Sequence, residues 1–453
     1  MKILTVGGGA REHAAVEALA RANAEIFAVM KNSNPGIAKR AKDVLLASED
    51  DIDKICDFAI NNFVEYAFIG PEAPLSSGVV DALEHIGIKC ASPTKDAARI
   101  ETSKTFMRNL VDKYRIDGNL GYKSFDNEAE AIEYVKNVPY KVAIKPVGLT
   151  GGKGVKVQGD QLTNLDETIA YIKEIFEGNV GGGKVIIEEK AEGEEFTQMV
   201  FTNGDEIYPM PLVQDHKRAY EGDLGPNTGG MGSYSDANHL LPFVTEEDRQ
   251  KSIEIVRAIV KALASEGCTY RGTMYGQFML TKDGPKIIEI NARFGDPEAM
   301  NVLTTLQTDF SEIIKWMAGG KLKDKDVKFA NKATVCKYVV PRGYGVKSEA
   351  GHTISIDLDS IANTGSVAYF GNVDKNGGKL VTGTSRSIGI VGVGDTLEEA
   401  ERNCEAGLCY VKCDAIAVRH DIGTAALIQK CSGADTSTSC WAASWWRLPS
   451  ATC

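Results

Sequence analysis

Ile287-Ile288-Glu289-Ile290-Asn291-Ala292-Arg293-Phe294-Gly295-Asp296-Pro297-Glu298 reads as an apolar strand that runs into an acidic turn. Side chains alternate faces along a strand, so Glu289 and Asn291 point the same way, with Arg293 in phase behind them. A carboxylate beside an amide oxygen offers hard ligands suited to Mg²⁺ already carrying phosphates. The planar guanidinium of Arg293 adds a fork for phosphate oxygens. Alone, the Glu-x-Asn pattern equally describes a half-buried strand with a solvated polar face. The preceding segment predicts strands over 274–280 and 286–290, paired as a hairpin around Lys282-Asp283-Gly284.

Working outward, Gly148-Leu149-Thr150-Gly151-Gly152-Lys153-Gly154 lies between predicted strands at 141–145 and 155–158. A Walker A loop needs Gly-Lys followed by Ser or Thr and then a helix. Here Lys153 precedes Gly154 and a strand, which leaves a glycine-rich flap whose amides and Lys153 could close over a triphosphate, or an ordinary hairpin loop. Lys145, ending the preceding strand, reaches toward the same place. Glu188, at the end of a strand predicted over 185–188, and Glu195 are candidates for an adenine amino group and ribose hydroxyls. Asp215-His216-Lys217-Arg218 and the glycine-rich run 221–232 form a further cluster. Its glycines allow close backbone approach to a ligand, and its length without predicted secondary structure suggests a functional loop.

The first hundred residues alternate strands (3–6, 26–30, 67–69) with helices (11–22, and one through 81–85), which predicts a parallel sheet. Ligands of such sheets lie at the strands' carboxyl ends, where Gly7-Gly8-Gly9 and Gly70-Pro71-Glu72 fall. The glycine run suggests a dinucleotide fingerprint, but Glu12 stands where the third glycine belongs. No acid follows the strand ending at Met30 to hold a ribose hydroxyl. A nicotinamide dehydrogenase is therefore disfavoured, while phosphate binding by loop amides at a helix N-terminus is retained. His13, on the first helical turn, reads as structural.

Past about residue 325 short strands dominate, with one helix over 397–408 started by Asp395 or Thr396 and a capping-box Glu398 or Glu399. Residues 431–453, rich in Ser, Thr, Ala and Trp, show no periodicity and read as a non-native or disordered tail. The chain has 453 residues, 43% hydrophobic and 25% charged, enough for several domains. Its net charge of −11 argues against nucleic-acid or anionic-membrane partners. No apolar run is long enough to span a bilayer. The spacing of Cys404, Cys409 and Cys413 lacks the second pair of a zinc site, so reduced thiols in a cytoplasm are expected.

In this order the segments resemble the phosphoribosylamine–glycine ligase (glycinamide ribonucleotide synthetase) family of the ATP-grasp superfamily. The likeness extends from Met1 to about Gln429. It rests on Gly8-Gly9-Ala10-Arg11-Glu12-His13, Gly70 to Leu75, Ser103-Lys104, Gln214 to Arg218, Gly225 to Gly232, Glu289 to Glu298 and the closing Arg419-His420-Asp421-Ile422-Gly423. Val147 replaces a common family acid, and Lys190 a common aromatic. The resemblance implies a mixed α/β and α+β multidomain fold. Its parts would be a parallel pre-ATP-grasp domain (1–101), an ATP-grasp domain (102–325) with a mobile lid (about 122–190) and a small α+β C-terminal domain (326–430).

It also implies ATP-dependent ligation of glycine to 5-phosphoribosylamine in purine synthesis, by way of glycyl phosphate. ATP and Mg²⁺, or Mn²⁺, would be the cofactors. Glu289 and Asn291 would hold the metal; Lys104, Lys145, Lys153, Glu188 and Glu195 the nucleotide. Arg293, Lys153 and Asp296 would serve the chemistry, Asp296 by taking the glycine amine. Gly9, Glu72, Asn227 and Thr228 would contact the ribose phosphate, with Asp215 also on the substrate side. Transient contact with neighbouring purine-pathway enzymes is the remaining partner expectation.

Overall fold

The computed structural model describes residues 1–148, 154–322 and 326–431; Lys153 and nearly all of the 431–453 tail lie outside them. The predicted alternation near the N-terminus yields a five-stranded parallel sheet. Its order is Asp43–Leu46, Glu25–Met30, Lys2–Val6, Tyr66–Ile69, Lys89–Cys90. Strand order reverses beside Lys2–Val6, so Gly7–Gly9 and Gly70–Glu72 emerge together at a crevice. The helix expected through residue 85 is two helices, Glu72–Ser77 and Val79–His85, parted at Gly78 with φ +97°.

Strands Tyr122–Phe125, Val185–Glu189, Val142–Pro146 and Lys156–Val157 form a separate antiparallel sheet. With helices Glu128–Asn137 and Leu165–Glu177 it encloses its own apolar core, including Phe125, Ile144, Ile172 and Ile187. A second antiparallel sheet runs Ile207–Pro209, Glu194–Thr202, Gly272–Thr281, Gly284–Asn291. Its last two strands are the predicted hairpin. Helix Glu246–Ser265 backs it, burying Ile253, Val256, Ile259, Val260 and Leu263 at helical spacing. Thr245 caps that helix, accepting from the Asp248 amide.

The run 221–232 departs from expectation. From residue 224 on it belongs to a twelve-residue strand, Leu224–Ser235, which a turn at 221–223 joins to Gln214–Tyr220, the two pairing across two bulges. Gly225 and Gly230 supply positive φ within the strand, so its glycines bend a ladder and do not mark an open loop. The same strand pairs with Ala333–Pro341, which continues to Ile388–Gly394 and Ser366–Phe370. One sheet therefore joins the central region to the C-terminal strands. Helix Leu397–Leu408 closes that region, started by Thr396 as foreseen: its hydroxyl accepts from the Glu399 amide, while Glu399 accepts from the amide of Asp395, one residue before the cap, so the cap forms without the full reciprocal box. Among the described residues no helix is long and apolar enough to cross a membrane.

Candidate active site

A cavity of about 900 Å³ opens where the parallel sheet, the central hairpin, the smaller sheet and the C-terminal strands converge. On its floor the in-phase row is assembled side chain to side chain. The Asn291 amide donates to Glu289 Oε1 at 3.2 Å, and Arg293 donates to Asn291 Oδ1 at 3.2 Å. Glu101, from the helix before the central domain, holds Arg293 at 2.9 Å and accepts from the Ala292 amide at 2.6 Å. Burial alone would raise the Glu289 pKa, but Lys217 and Lys145 outweigh it and keep the carboxylate ionised more readily than usual.

Lys145 lies 2.7 Å from Glu188 and donates to the Ile288 carbonyl at 3.3 Å. That carbonyl sits at a bulge, since Gln277 opposes Glu289 while Phe278 opposes Ile287. Lys104 donates to the Gly148 carbonyl at 3.1 Å, and burial lowers its pKa despite nearby Glu289. Glu188 does not face the cavity as a free acceptor for adenine. Both its oxygens are taken by buried Arg108, at 2.9 and 2.8 Å, and one also by Lys145. Its pKa falls to about 2 because these cations overcome burial. Its evident work is to hold Lys145. Glu195 accepts from Lys217 and from Gln277, each at 2.8 Å.

The Gly7–Gly9 loop reaches the cavity, but its amides are not free. Gly7 donates to the Val29 carbonyl, Gly8 to Glu49 at 3.0 Å and Gly9 to Glu12 at 2.9 Å. Two carboxylates thus stand where the loop was expected to receive phosphate. The glycines are instead required by packing: a Cβ on Gly7 would meet Glu12 at 2.5 Å. Glu72 opens its helix 3.6 Å from Arg293 Nε. His13 is structural, its Nδ1 accepting from the Phe370 amide at 2.8 Å and tying this face to the C-terminal strands.

Asp296, expected to take the glycine amine, is already engaged within the chain. Tyr338 donates to one oxygen and Arg386 to the other at 2.7 Å. Arg386 also stacks on the Tyr338 ring at 4.8 Å and donates to the carbonyls of Gly229 and Gly230. Asn227 and Thr228 reach the cavity beside it, with Thr228 donating to the Lys217 carbonyl at 2.9 Å. Buried Asp215 lies within 3.8 Å of Lys217 and accepts from Gln277 at 3.4 Å. Glu298 accepts from Tyr275 at 2.9 Å on the same wall.

Glu101, Arg386, Lys217 and Glu298 were missed as site residues by the sequence reading. Lys217 and Glu298 lie within motifs already noted, so strand alternation could have found Lys217 from Asp215. Glu101 and Arg386 carry no local signal.

Carboxylates outnumber cationic side chains in the cavity lining, so a triphosphate needs a divalent cation to offset repulsion. Glu289 and Asn291 fit one: the carboxylate is ionised and the amide oxygen keeps a second lone pair beyond the Arg293 bond. Among the described residues no group of three or more His, Cys, Asp or Glu could hold a metal. Two hard donors, completed by phosphate and water, match the habit of Mg²⁺ on nucleotides.

Comparisons agree with this architecture. Models of the phosphoribosylglycinamide synthetase N domain, ATP-grasp (A) domain and C domain match residues 1–101, 102–299 and 334–425. The phosphoribosylamine–glycine ligase of Methanocaldococcus jannaschii is 52% identical over 435 residues, covering 95% of this chain and 98% of that protein. That of Methanoregula boonei is 50% identical over 432 residues, with the same coverage. The crystal structure of the Thermotoga maritima phosphoribosylamine–glycine ligase superposes with a TM-score of 0.78 at 27% identity, covering 93% of this chain and all of that one. The chain belongs to the phosphoribosylglycinamide synthetase family.

Proposed function

We propose that this protein joins glycine to 5-phosphoribosylamine at the expense of ATP, giving glycinamide ribonucleotide, ADP and phosphate, as the family's activity in purine synthesis requires. The observation that carries this at the site is the continuous row Glu289–Asn291–Arg293 on the cavity floor. Glu289 and Asn291 would hold Mg²⁺, which when bound neutralises phosphate charge; donors this hard also accept Mn²⁺. The adenine base is assigned to the apolar wall of Met107, Leu120, Val157, Met279 and Ile288. Glu195 is assigned to the ribose hydroxyls.

The glycine carboxylate oxygen attacks the γ-phosphorus and the bond to ADP breaks. Lys104, Lys145 and Arg293 balance the charge spread over the transferred group, so positioning and electrostatics do the catalysis. The phosphoribosylamine nitrogen then attacks the glycyl carbonyl carbon, phosphate leaves and the amine loses a proton. The Tyr122–Glu189 unit is proposed as the lid that keeps water from the acyl phosphate. Lys153 keeps its proposed phosphate role from the sequence alone.

With Asp296 held by Arg386 and Tyr338, we assign the glycine ammonium to Asp215 and Glu298. Both are buried carboxyls whose pKa is raised by burial, Glu298 to about 7 with the Asp215 charge adding to the effect. An ammonium between them would relieve that repulsion. Glu72, Asn227 and Thr228 are assigned to the ribose phosphate, with Arg386, hydrogen-bonded to the Gly229 carbonyl beside Thr228, as an adjoining cation. Gly9 borders that site through packing. Cytoplasmic location and transient contact with neighbouring pathway enzymes, which would shelter the unstable amine, complete the proposal.

Phosphate release from ATP tests it. Release should require both glycine and freshly prepared phosphoribosylamine; release indifferent to glycine would defeat the reading.

A further inference from the structure

The closing motif Arg419-His420-Asp421-Ile422-Gly423 and His216 take no part in the chemistry above, yet they meet in one network around buried Arg419. Arg419, 1% exposed, donates to both oxygens of Asp421, at 2.9 and 2.6 Å. Its remaining nitrogen reaches Asp223 at 2.6 Å and the Arg218 carbonyl at 3.2 Å. Asp223 also meets His216 Nδ1 at 3.3 Å. Asp421 accepts from the Gly222 amide at 2.8 Å, and Glu221 from the His420 amide at 3.2 Å. Every residue of the turn Glu221-Gly222-Asp223 is therefore held by a segment about two hundred residues later in the chain.

That turn needs holding. Gly222 and Asp223 both have positive φ, +72° and +58°, and the second is costly for a residue with a side chain. The strands on either side pair with two bulges, at His216/Arg218 and Arg218/Tyr220, so ladder hydrogen bonds alone specify their register weakly. Register decides function here. Asp215 and Lys217 face the cavity while His216, between them, faces the clasp, and a one-residue slip would exchange the faces. Asn227 and Thr228 lie on the returning strand and depend on the same turn.

We propose that Arg419 is a positioning residue for ligation. Through Asp223 and Asp421 it sets the turn, and thereby the register of the hairpin that presents Asp215, Lys217, Asn227 and Thr228 to the substrates. This rests on the assignment of Asp215 to glycine and of Asn227 and Thr228 to the ribose phosphate.

The experiment compares the full-length wild type with Arg419→Ala, Arg419→Lys and Asp421→Asn, all below their unfolding temperatures. Wild-type turnover with glycine and phosphoribosylamine is verified first, so a failed functional reading shows there. KM for each substrate, kcat, and hydrogen exchange of the 214–235 amides are then measured. Arg419→Ala is expected to raise KM for glycine or phosphoribosylamine roughly tenfold to a hundredfold. Exchange in the hairpin should quicken while the rest of the molecule stays protected. Arg419→Lys should recover part of the loss, and Asp421→Asn should fall between. Unchanged KM values with hairpin protection intact, or a lowered melting temperature as the sole effect, would overturn the proposal. Should Arg419→Ala fail to fold, the same two measurements on Asp421→Asn decide the matter.

Discussion

The strand Gly284–Asn291 and the loop Gly7–Gly9 both end at the cavity, and both carry sequence patterns associated with phosphate. On the strand, Glu289, Asn291 and Arg293 contact one another in series and keep oxygen donors toward the cavity. In the loop, each glycine amide already has an acceptor within the chain, and two of those acceptors are carboxylates. Alternation of side chains is a local property that a regular strand enforces on its own. Availability of a loop amide depends on what packs above it, here Glu49 from 41 residues away. The strand therefore presents its donor row to the cavity by local geometry, whereas the loop amides are spent on packing.

The largest expected effect breaks the strand row. Glu289→Ala should reduce turnover by at least about a thousandfold, on the order of 4 kcal/mol of barrier, with the circular dichroism spectrum unchanged. Near-normal turnover would remove the metal assignment. Glu101→Gln comes next, because it takes the charge from the carboxylate that holds Arg293 at 2.9 Å. Turnover should fall roughly tenfold to a hundredfold, with a smaller change in ATP affinity than in kcat.

The pH dependence sharpens the comparison further. Burial and the Asp215 charge hold the Glu298 carboxyl near about 7, so it is protonated below that pH and charged above it. An ammonium partner needs the charged form, and KM for glycine should fall as pH rises from about 6 to about 8. Glu298→Gln should flatten the profile. The linked stability runs oppositely, since a folded pKa above the unfolded value favours the folded state at low pH. That contribution is fully present below the unfolded pKa of about 4.5 and lost as pH rises through about 7. Melting temperatures without glycine should show this decline.

The smallest effect belongs to the loop. Glu49→Gln keeps a side-chain acceptor for the Gly8 amide while removing a buried charge. KM for phosphoribosylamine should change by less than about threefold, whereas loss of a true phosphate cradle would shift it by tenfold or more.

What the sequence disclosed follows the same division. The parallel sheet, the central hairpin and the helix cap at Thr396 came from periodicity and local capping, and each formed within a few residues of its expected bounds. Lys145, expected from a strand end, and Glu289, expected from alternation, both line the cavity. Glu188 was found too, but its assigned task ignored Arg108, which reaches it from 80 residues away. The partners of Asp296, Tyr338 and Arg386, were equally invisible, since they come from the C-terminal region. The run 221–232 looked like a loop because glycine composition conceals a ladder that is set by pairing with Gln214–Tyr220 and Ala333–Pro341. For Glu188 and Asp296, and for the third strand beside 224–235, the missing information was a contact distant in sequence.

The claim that the strand row grips a metal–nucleotide complex is tested most directly by ATP binding with and without Mg²⁺, in the wild type and in Glu289→Ala. Mg²⁺ should tighten ATP binding about tenfold or more in the wild type and leave the variant's weaker binding nearly unchanged. Equal tightening by Mg²⁺ in both proteins would contradict the account.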